Sequence, residues 1–447
     1  MYQFSGKLKL ASIIFMIVGA LGIGFGFYTA PKTVEEATEM TTSHQKHDAH
    51  GAVTDTHATS HDDAHAKHVF HQLQNRPWAA FYVSLFFFLG ISLLVLTFYA
   101  IQRAAQAGWS IVLFRVMEAI TANLHYVSVI MLFFLIASFM HINHLFPWMA
   151  EGTVDPTSAN FDAIVYGKKW WLNTPGWLLR SIVYLAGWNF FAYFFRKNSR
   201  AQDDGDMKIH NKLYKASIAF IAFFMISETM MAWDWIMGID PHWFSTLFGW
   251  YVLSTFMVTA ITVIAFVTIY LRSKGYLPFV NDSHIHDLTK YMFGFSVFWT
   301  YLWFSQFMLI WYADMAEETV YFAMRFQNYN LLFLGMVVLN FALPILLLIN
   351  SDFKSIPWFV VIGGVFIILG HYIDVFVMIV PGTVGANWSF GIPEIGGFLF
   401  FLGVFIYATF NSFAKAAPLA KGNPYLKESE DYHYYIIEHR GEDKSHH

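Results

Sequence analysis

The chain has no cysteine, little charge and no strong excess of either sign, and each shortage removes a class of function. Without Cys, the polypeptide cannot hold a four-Cys iron–sulfur cluster, attach haem c covalently, form a disulfide or use a thiolate nucleophile. An electron-transfer role therefore needs noncovalent cofactors or neighbouring subunits. Charged residues make up 13% of the 447, about half the usual share of a soluble domain, so a soluble fold would lack polar surface. The net charge of −4 gives no support to a nucleic-acid partner.

Apolar and aromatic residues are abundant: 56% are hydrophobic, 19% are Phe, Tyr or Trp, and the mean hydropathy is +0.44. Stretches long enough to cross about 30 Å of hydrocarbon recur along the chain. They lie near 10–30, 78–101, 122–146, 174–196, 213–237, 246–271, 291–312, 328–350, 357–380 and 393–413. The expected fold is an all-α integral membrane protein with about ten transmembrane helices. The first run follows Lys7 and Lys9 and is too long for a signal-peptide core, so it reads as a retained span. Capping residues beside prolines mark helix starts at Asn75 before Pro77, Thr174-Pro175, Asp240-Pro241, and Ser355 before Pro357.

With the N-terminus inside, these spans put 19 of the 27 Lys and Arg on the cytoplasmic side, seven outside and Arg180 within a helix. Both termini are then cytoplasmic. Two segments lie outside the membrane: an external loop over 31–76, rich in His, and a tail over 414–447. The tail's aromatic patches at Tyr425 and Tyr432 to Tyr435 leave two readings open, a contact with a partner subunit or a solvated extension. In the loop, His57, His61, His65 and His68 fall at helical spacing, which suits zinc or copper. The surrounding Thr, Ala and Asp equally suit a solvated, pH-responsive linker.

Ionisable groups inside spans are costly, which makes them functional candidates. Those expected to form a proton path are Glu118, His125, His141, Arg180, Glu228, Asp234, Asp314, His371 and Asp374. His371 and Asp374 are three apart on one helix face, and Glu118 and His125 share another. Structural alternatives stand beside these roles. His144, Asp234 and Asp314 lie close enough to predicted boundaries to be wet, His125 suits a packing histidine, and Arg180 suits an ion pair with Glu228 or Asp234. Haem b needs histidines facing across a bundle, and deep histidines expected only at His125, His141 and His371 do not supply two such pairs.

The most distinctive stretch runs from Ala232 to Tyr251 and reads as a tight external hairpin. Gly238 is expected to end one helix, Asp240 to cap the next, and Trp233, Trp235, Trp243 and Trp250 to sit in the interfacial aromatic belt. That belt does not explain Asp234 between two tryptophans.

Through Trp233-Asp234-Trp235-Ile236-Met237 and Asp240-Pro241-His242-Trp243-Phe244-Ser245-Thr246, the sequence resembles the membrane subunits of bacterial alternative complex III. The likeness is to the shorter, ActF-type subunit, of the polysulfide-reductase membrane-subunit kind, and it extends from the second span to the tenth. It implies two four-helix bundles, 77–237 (helices 2–5) and 238–380 (helices 6–9), flanked by the first helix (1–30) and the tenth (381–413). It also implies a place in the bacterial cytoplasmic membrane, in a quinol:cytochrome c or oxidase oxidoreductase. The enzyme is then the complex, and the isolated chain is not assigned an activity. The expected partners are a multihaem cytochrome c, an iron–sulfur protein, a paralogous quinol-binding membrane subunit, small membrane subunits and a terminal oxidase. Haem c and iron–sulfur clusters would reside in those partners, and quinol or menaquinol and phospholipid are the ligands expected near this chain. Of the candidate residues, only Asp234, Asp240 and His242 are carried by the hairpin motif. A proton-coupled transporter and a purely structural scaffold are the alternatives.

Overall fold

A computed structural model describes residues 2–40 and 61–434, without the side chains of 61–65, 67 and 68. His57 lies outside the described residues, and of His61, His65 and His68 only the helical backbone is described, so the metal reading of that loop rests on the sequence alone.

Ten helices are long and apolar enough to cross a membrane, and no strand occurs among the described residues. They are α1 (Gly6–Thr29), α2 (His61–Ala104), α3 (Gly108–Phe139), α4 (Thr174–Asp204), α5 (Met207–Ile239), α6 (Phe248–Ser273), α7 (Asp282–Ala313), α8 (Asn330–Leu348), α9 (Pro357–Thr383) and α10 (Ile392–Phe413). The chain is an all-α integral membrane protein. Its helices pair as expected: α2 to α5 contact one another in a ring, α6 to α9 form a second, and α1 and α10 pack together alongside. The bundles meet where α2 touches α6 and α9. That seam is the centre of the protein, since the apolar window of α2 is 94% buried against 17% for α1.

Glycine fixes the outer pair. A Cβ at Gly19 of α1 would lie 2.3 Å from the backbone N of Phe400, and one at Gly22 would lie 2.9 Å from the Cα of Gly396. Only glycine lets the two backbones approach this closely, the usual device for joining helices in lipid, where no hydrophobic force drives them together.

Several expected boundaries move. Helix α2 starts at His61, so residues 61–76 are helix and not loop, and Pro77 lies inside it. Asn75 caps nothing. Its amide donates to the carbonyls of His144 (3.0 Å) and Thr383 (3.4 Å) and accepts from the His144 N–H, tying three chain segments together. Helix α4 is capped by Asn173, whose side chain accepts from Gly176 N–H at 2.8 Å, with Pro175 in the first turn. Ile356 precedes Pro357 at the start of α9, and Ser355 instead donates to Asp352. Helix α5 reaches past Gly238 in a final 3-10 turn, and α6 begins only at Phe248, so Asp240 does not cap it.

The tail folds back on its own chain, as far as residue 434. Ser429 Oγ donates to Trp109 O at 2.7 Å, Tyr432 Oη donates to Asp287 at 2.6 Å, and Tyr434 stacks on His286. These aromatic residues are thus spent on the helix ends beside the termini. Residues 435–447 lie outside the described residues.

Candidate functional site

The candidate acids divide by depth. Near the end that carries both termini, Glu118 pairs with Arg115 at 2.7 Å and accepts from Tyr99 Oη at 2.9 Å. Arg115 also reaches Asp203 at 2.5 Å, and Arg103 reaches Tyr99, Gln202 and Ser199. This network binds α2, α3 and α4 together and leaves Glu118 fully engaged. His125 does not join it. Arg196 donates to His125 Nε2, so the ring carries its proton on Nδ1 and donates to Asn189 Oδ1 at 2.5 Å. Both nitrogens are occupied by fixed partners, the arrangement of a packing histidine that positions an arginine.

Toward the opposite, far end of the first bundle lies Asp234, fully buried. Arg180 grips it with two of its three nitrogens, Nε at 2.9 Å and Nη2 at 2.7 Å, and Tyr184 Oη donates at 2.9 Å. The guanidinium also covers the Trp171 ring at 4.2 Å. Of the two partners open to Arg180, the structure selects Asp234. Glu228 lies six residues earlier on α5, about 9 Å along the helix, buried and with Oε1 unpartnered among the described residues.

The hairpin tryptophans follow the same logic. Trp235 is fully buried and donates to Ser181 at 2.8 Å, Trp177 donates to the Asp234 carbonyl, and Trp243 stacks on Tyr321 at 3.9 Å. Only Trp250 is substantially exposed, as the aromatic belt requires. The belt reading fails for Trp235 and Trp243 because they close the top of the helix bundles. Asp240 is half-buried, and His242 is exposed and meets Asp162 of the preceding loop at 2.5 Å.

The second bundle holds the other acid. Asp374 on α9 is fully buried and accepts from Tyr251 Oη, from Thr255 Oγ1 at 2.9 Å and from Trp299 Nε1 at 2.9 Å. His371 Nδ1 lies 3.4 Å from it, and its Nε2 has no partner among the described residues. Beside them α8 opens into a π-helical turn, Val338–Ala342, whose Asn340 is buried with both amide atoms unpaired among the described residues. Its Oδ1 occupies the space a Cβ at Gly370 would fill, at 2.1 Å, so Gly370 makes room for that amide. A narrow cleft with space for about one water molecule runs from Asp374 to Arg325.

Arg325 was not legible as a site residue. It lies on the helix Ala316–Asn328, between the seventh and eighth expected spans, yet it is buried. Among the described residues it makes no ion pair. Its Nη1 donates to Tyr321 O at 2.8 Å and its guanidinium covers the Tyr321 ring at 3.3 Å. Burial pushes its pKa below the usual arginine value, opposed by Tyr321 and Asp240. The available signal was spacing: Tyr321, Phe322 and Arg325 share one helical face.

Two expected path residues are exposed. His141 follows the end of α3 in an exposed left-handed turn (φ 57°), and is therefore not a deep histidine. Asp314 closes α7 in the same conformation (φ 47°) and is exposed, as is His144. The apolar run outlasts the helix in both places, so hydropathy overestimates the depth.

An apolar groove at the far end is lined by Trp170, Trp171, Trp233, Trp243 and Phe244. Its only lining cation, Lys168, donates to the Pro241 carbonyl at 2.6 Å. No carboxylate or histidine is among its lining residues. No protein-family model matches the sequence, and no curated protein aligns with it significantly.

Proposed function

We propose that the chain is a cofactor-free membrane subunit of a quinol-oxidising, cytochrome c- or oxidase-reducing respiratory complex of the alternative complex III kind, and that it carries protons. The observation that bears most weight is Asp374. It is an acid sealed from solvent, held by neutral donors and one histidine and facing a water-sized cleft. A permanently paired carboxylate needs a cation, whereas neutral hydroxyl and indole donors tolerate both protonation states, as a carrier requires. His371 with its free Nε2 and Glu228 with its free Oε1 extend the set of groups able to take up a proton.

The wider assignment is supported by the resemblance of the hairpin and by the two four-helix bundles. The positive bias at the end carrying the termini supports a cytoplasmic placement of both. The far-end groove, apolar and without a proton acceptor, supports a role beside a quinol-oxidising partner over quinol oxidation by this chain. A proton-coupled transporter is the second reading, favoured by the break in α8 at Asn340 and Pro344. The water-sized cleft beside Asp374 leaves little room for a substrate.

The test is to solubilise native membranes in mild detergent and separate the complexes on a native gel. Staining for haem and immunoblotting for this chain should then coincide in one high-mass band with quinol-dependent reductase activity. Migration as a haem-free protein of its own mass, active in proton-driven uptake when reconstituted, would reverse the assignment in favour of the transporter.

A further inference from the structure

At the end carrying the termini, α3, α4 and α10 enclose a cavity of about 460 Å³ that the proton-carrying role does not use. Arg196, Lys197, Arg200 and Lys415 line it, with no Asp or Glu among the lining residues. Among the described residues none of these four cations makes an ion pair. Basic side chains at a helix end ordinarily just extend into water. Here, by contrast, Arg196 is fixed from behind by the Asn189–His125 pair, and its buried Nε has no partner among the described residues. Asn411 and Ser412 add neutral donors at the rim.

The mouth of the cavity continues into an apolar track. Tyr126, Val129 and Phe133 follow one another along an exposed face of α3, leading away from the cavity toward the membrane centre. Tyr193 and Phe190 do the same on α4. A concentrated positive charge at headgroup level joined to exposed apolar rows matches an amphiphile with a phosphate head.

We propose that this cavity is a specific site for an anionic phospholipid, its phosphate held by Arg196, Lys197, Arg200 and Lys415 and its acyl chains lying along α3 and α4. Basic pockets between helices on one membrane face recognise such headgroups by charge, and four cations suit a two-phosphate head best. His125 acts as a positioning residue for Arg196.

The test is a thermal-shift titration of the delipidated full-length protein in detergent, with cardiolipin, phosphatidylglycerol, phosphatidylethanolamine or inorganic phosphate as the probe. Cardiolipin and phosphatidylglycerol should raise Tm saturably, and the other two should not. The K197Q/R200Q/K415Q variant should bind cardiolipin about a hundredfold more weakly, from about 1 kcal/mol per cation near a membrane surface. K208Q/K212Q/K215Q removes equal charge from the same end and should bind within about threefold of the unmodified protein. Should the first triple fail to fold, R200Q alone, on an exposed side chain, should weaken binding about fivefold. An equal shift with phosphatidylethanolamine would reduce the site to apolar contact, and one with inorganic phosphate would make it a free-anion site. Equal weakening in the control triple would leave only a diffuse surface field. Each of these three results overturns the proposal.

Discussion

Asp234 and Asp374 are both sealed from solvent in the half of the protein away from the termini, one in each bundle, yet opposite chemistries hold them. Asp234 has a bidentate arginine and a tyrosine, so its charge is neutralised in place. Asp374 has a tyrosine, a threonine, a tryptophan and a histidine, while Arg325, which lines the same cleft, makes no ion pair among the described residues. The first arrangement suits a joint between α4 and α5. The second leaves an acid and a cation that meet only through a space the size of a water, which suits proton exchange.

The sharpest way to break the comparison is to exchange the two acids for neutral residues. Asp234→Ala leaves Arg180 partly buried without its anion and should cost about 3 kcal/mol of stability, read as thermal unfolding in detergent. Arg180→Met with Asp234→Leu should recover most of that loss, because removing both charges also removes the need to desolvate them. Asp374→Asn should behave differently. It keeps an acceptor for Thr255 and Trp299, so stability should change by about 1 kcal/mol, whereas proton-coupled turnover of the complex should fall about a hundredfold. If Asp374→Asn unfolds the protein while turnover per folded molecule is unchanged, the two acids have the same structural role.

Arg325 sharpens the contrast from the other side of the cleft. A buried guanidinium without an ion-pair partner contributes little stability, so Arg325→Met should leave the unfolding temperature nearly unchanged. Turnover should fall by about tenfold if the cation shares the cleft with Asp374 during proton exchange. A large loss of stability with full turnover would instead make Arg325 a structural prop for Tyr321 and Trp243.

How much of this was readable in advance follows the physics of each signal. Hydropathy located all ten spans, because about 20 apolar residues per crossing is a demand of the bilayer itself. It placed Glu228, His371 and Asp374 inside the protein for the same reason. It failed at His141 and Asp314, where apolar residues continue past the last helical turn and the chain reverses in a left-handed conformation. Cap chemistry failed at Asn75 because the same amide that can cap a helix can also tie loops, and Pro77 is tolerated within the long α2. Arg325 and the tyrosines that hold the two acids were out of reach. Their positions depend on packing between helices far apart in sequence, which no local pattern records. The hairpin motif was visible as a pattern, but only the fold shows that Trp235 and Trp243 are buried closures and that Asp234 is bound to Arg180.

The smallest effect belongs to the outer rim of the first bundle, where Asp162 joins the hairpin through His242. Partial burial acts to raise the Asp162 pKa, but hydrogen bonds from the Val165 amide, from His242 and from the Ile164 amide outweigh it, and the net shift is downward. A carboxylate whose pKa is lowered by folding stabilises the folded form above its unfolded value near 3.8, and that contribution is lost as pH falls through the lowered one. The stability that the Asp162 carboxylate contributes should therefore persist down to about pH 4 and be lost below it. Hydrogen exchange at the amides of Ile164 and Val165, which Asp162 caps at 2.9 and 3.1 Å, reports this directly. Asp162→Asn should remove the pH dependence while keeping part of the cap, since an amide oxygen still accepts from both amides. An onset of loosening that is the same in Asp162→Asn as in the unmodified protein would place the pH dependence in another group of the hairpin rim and take it away from this carboxylate.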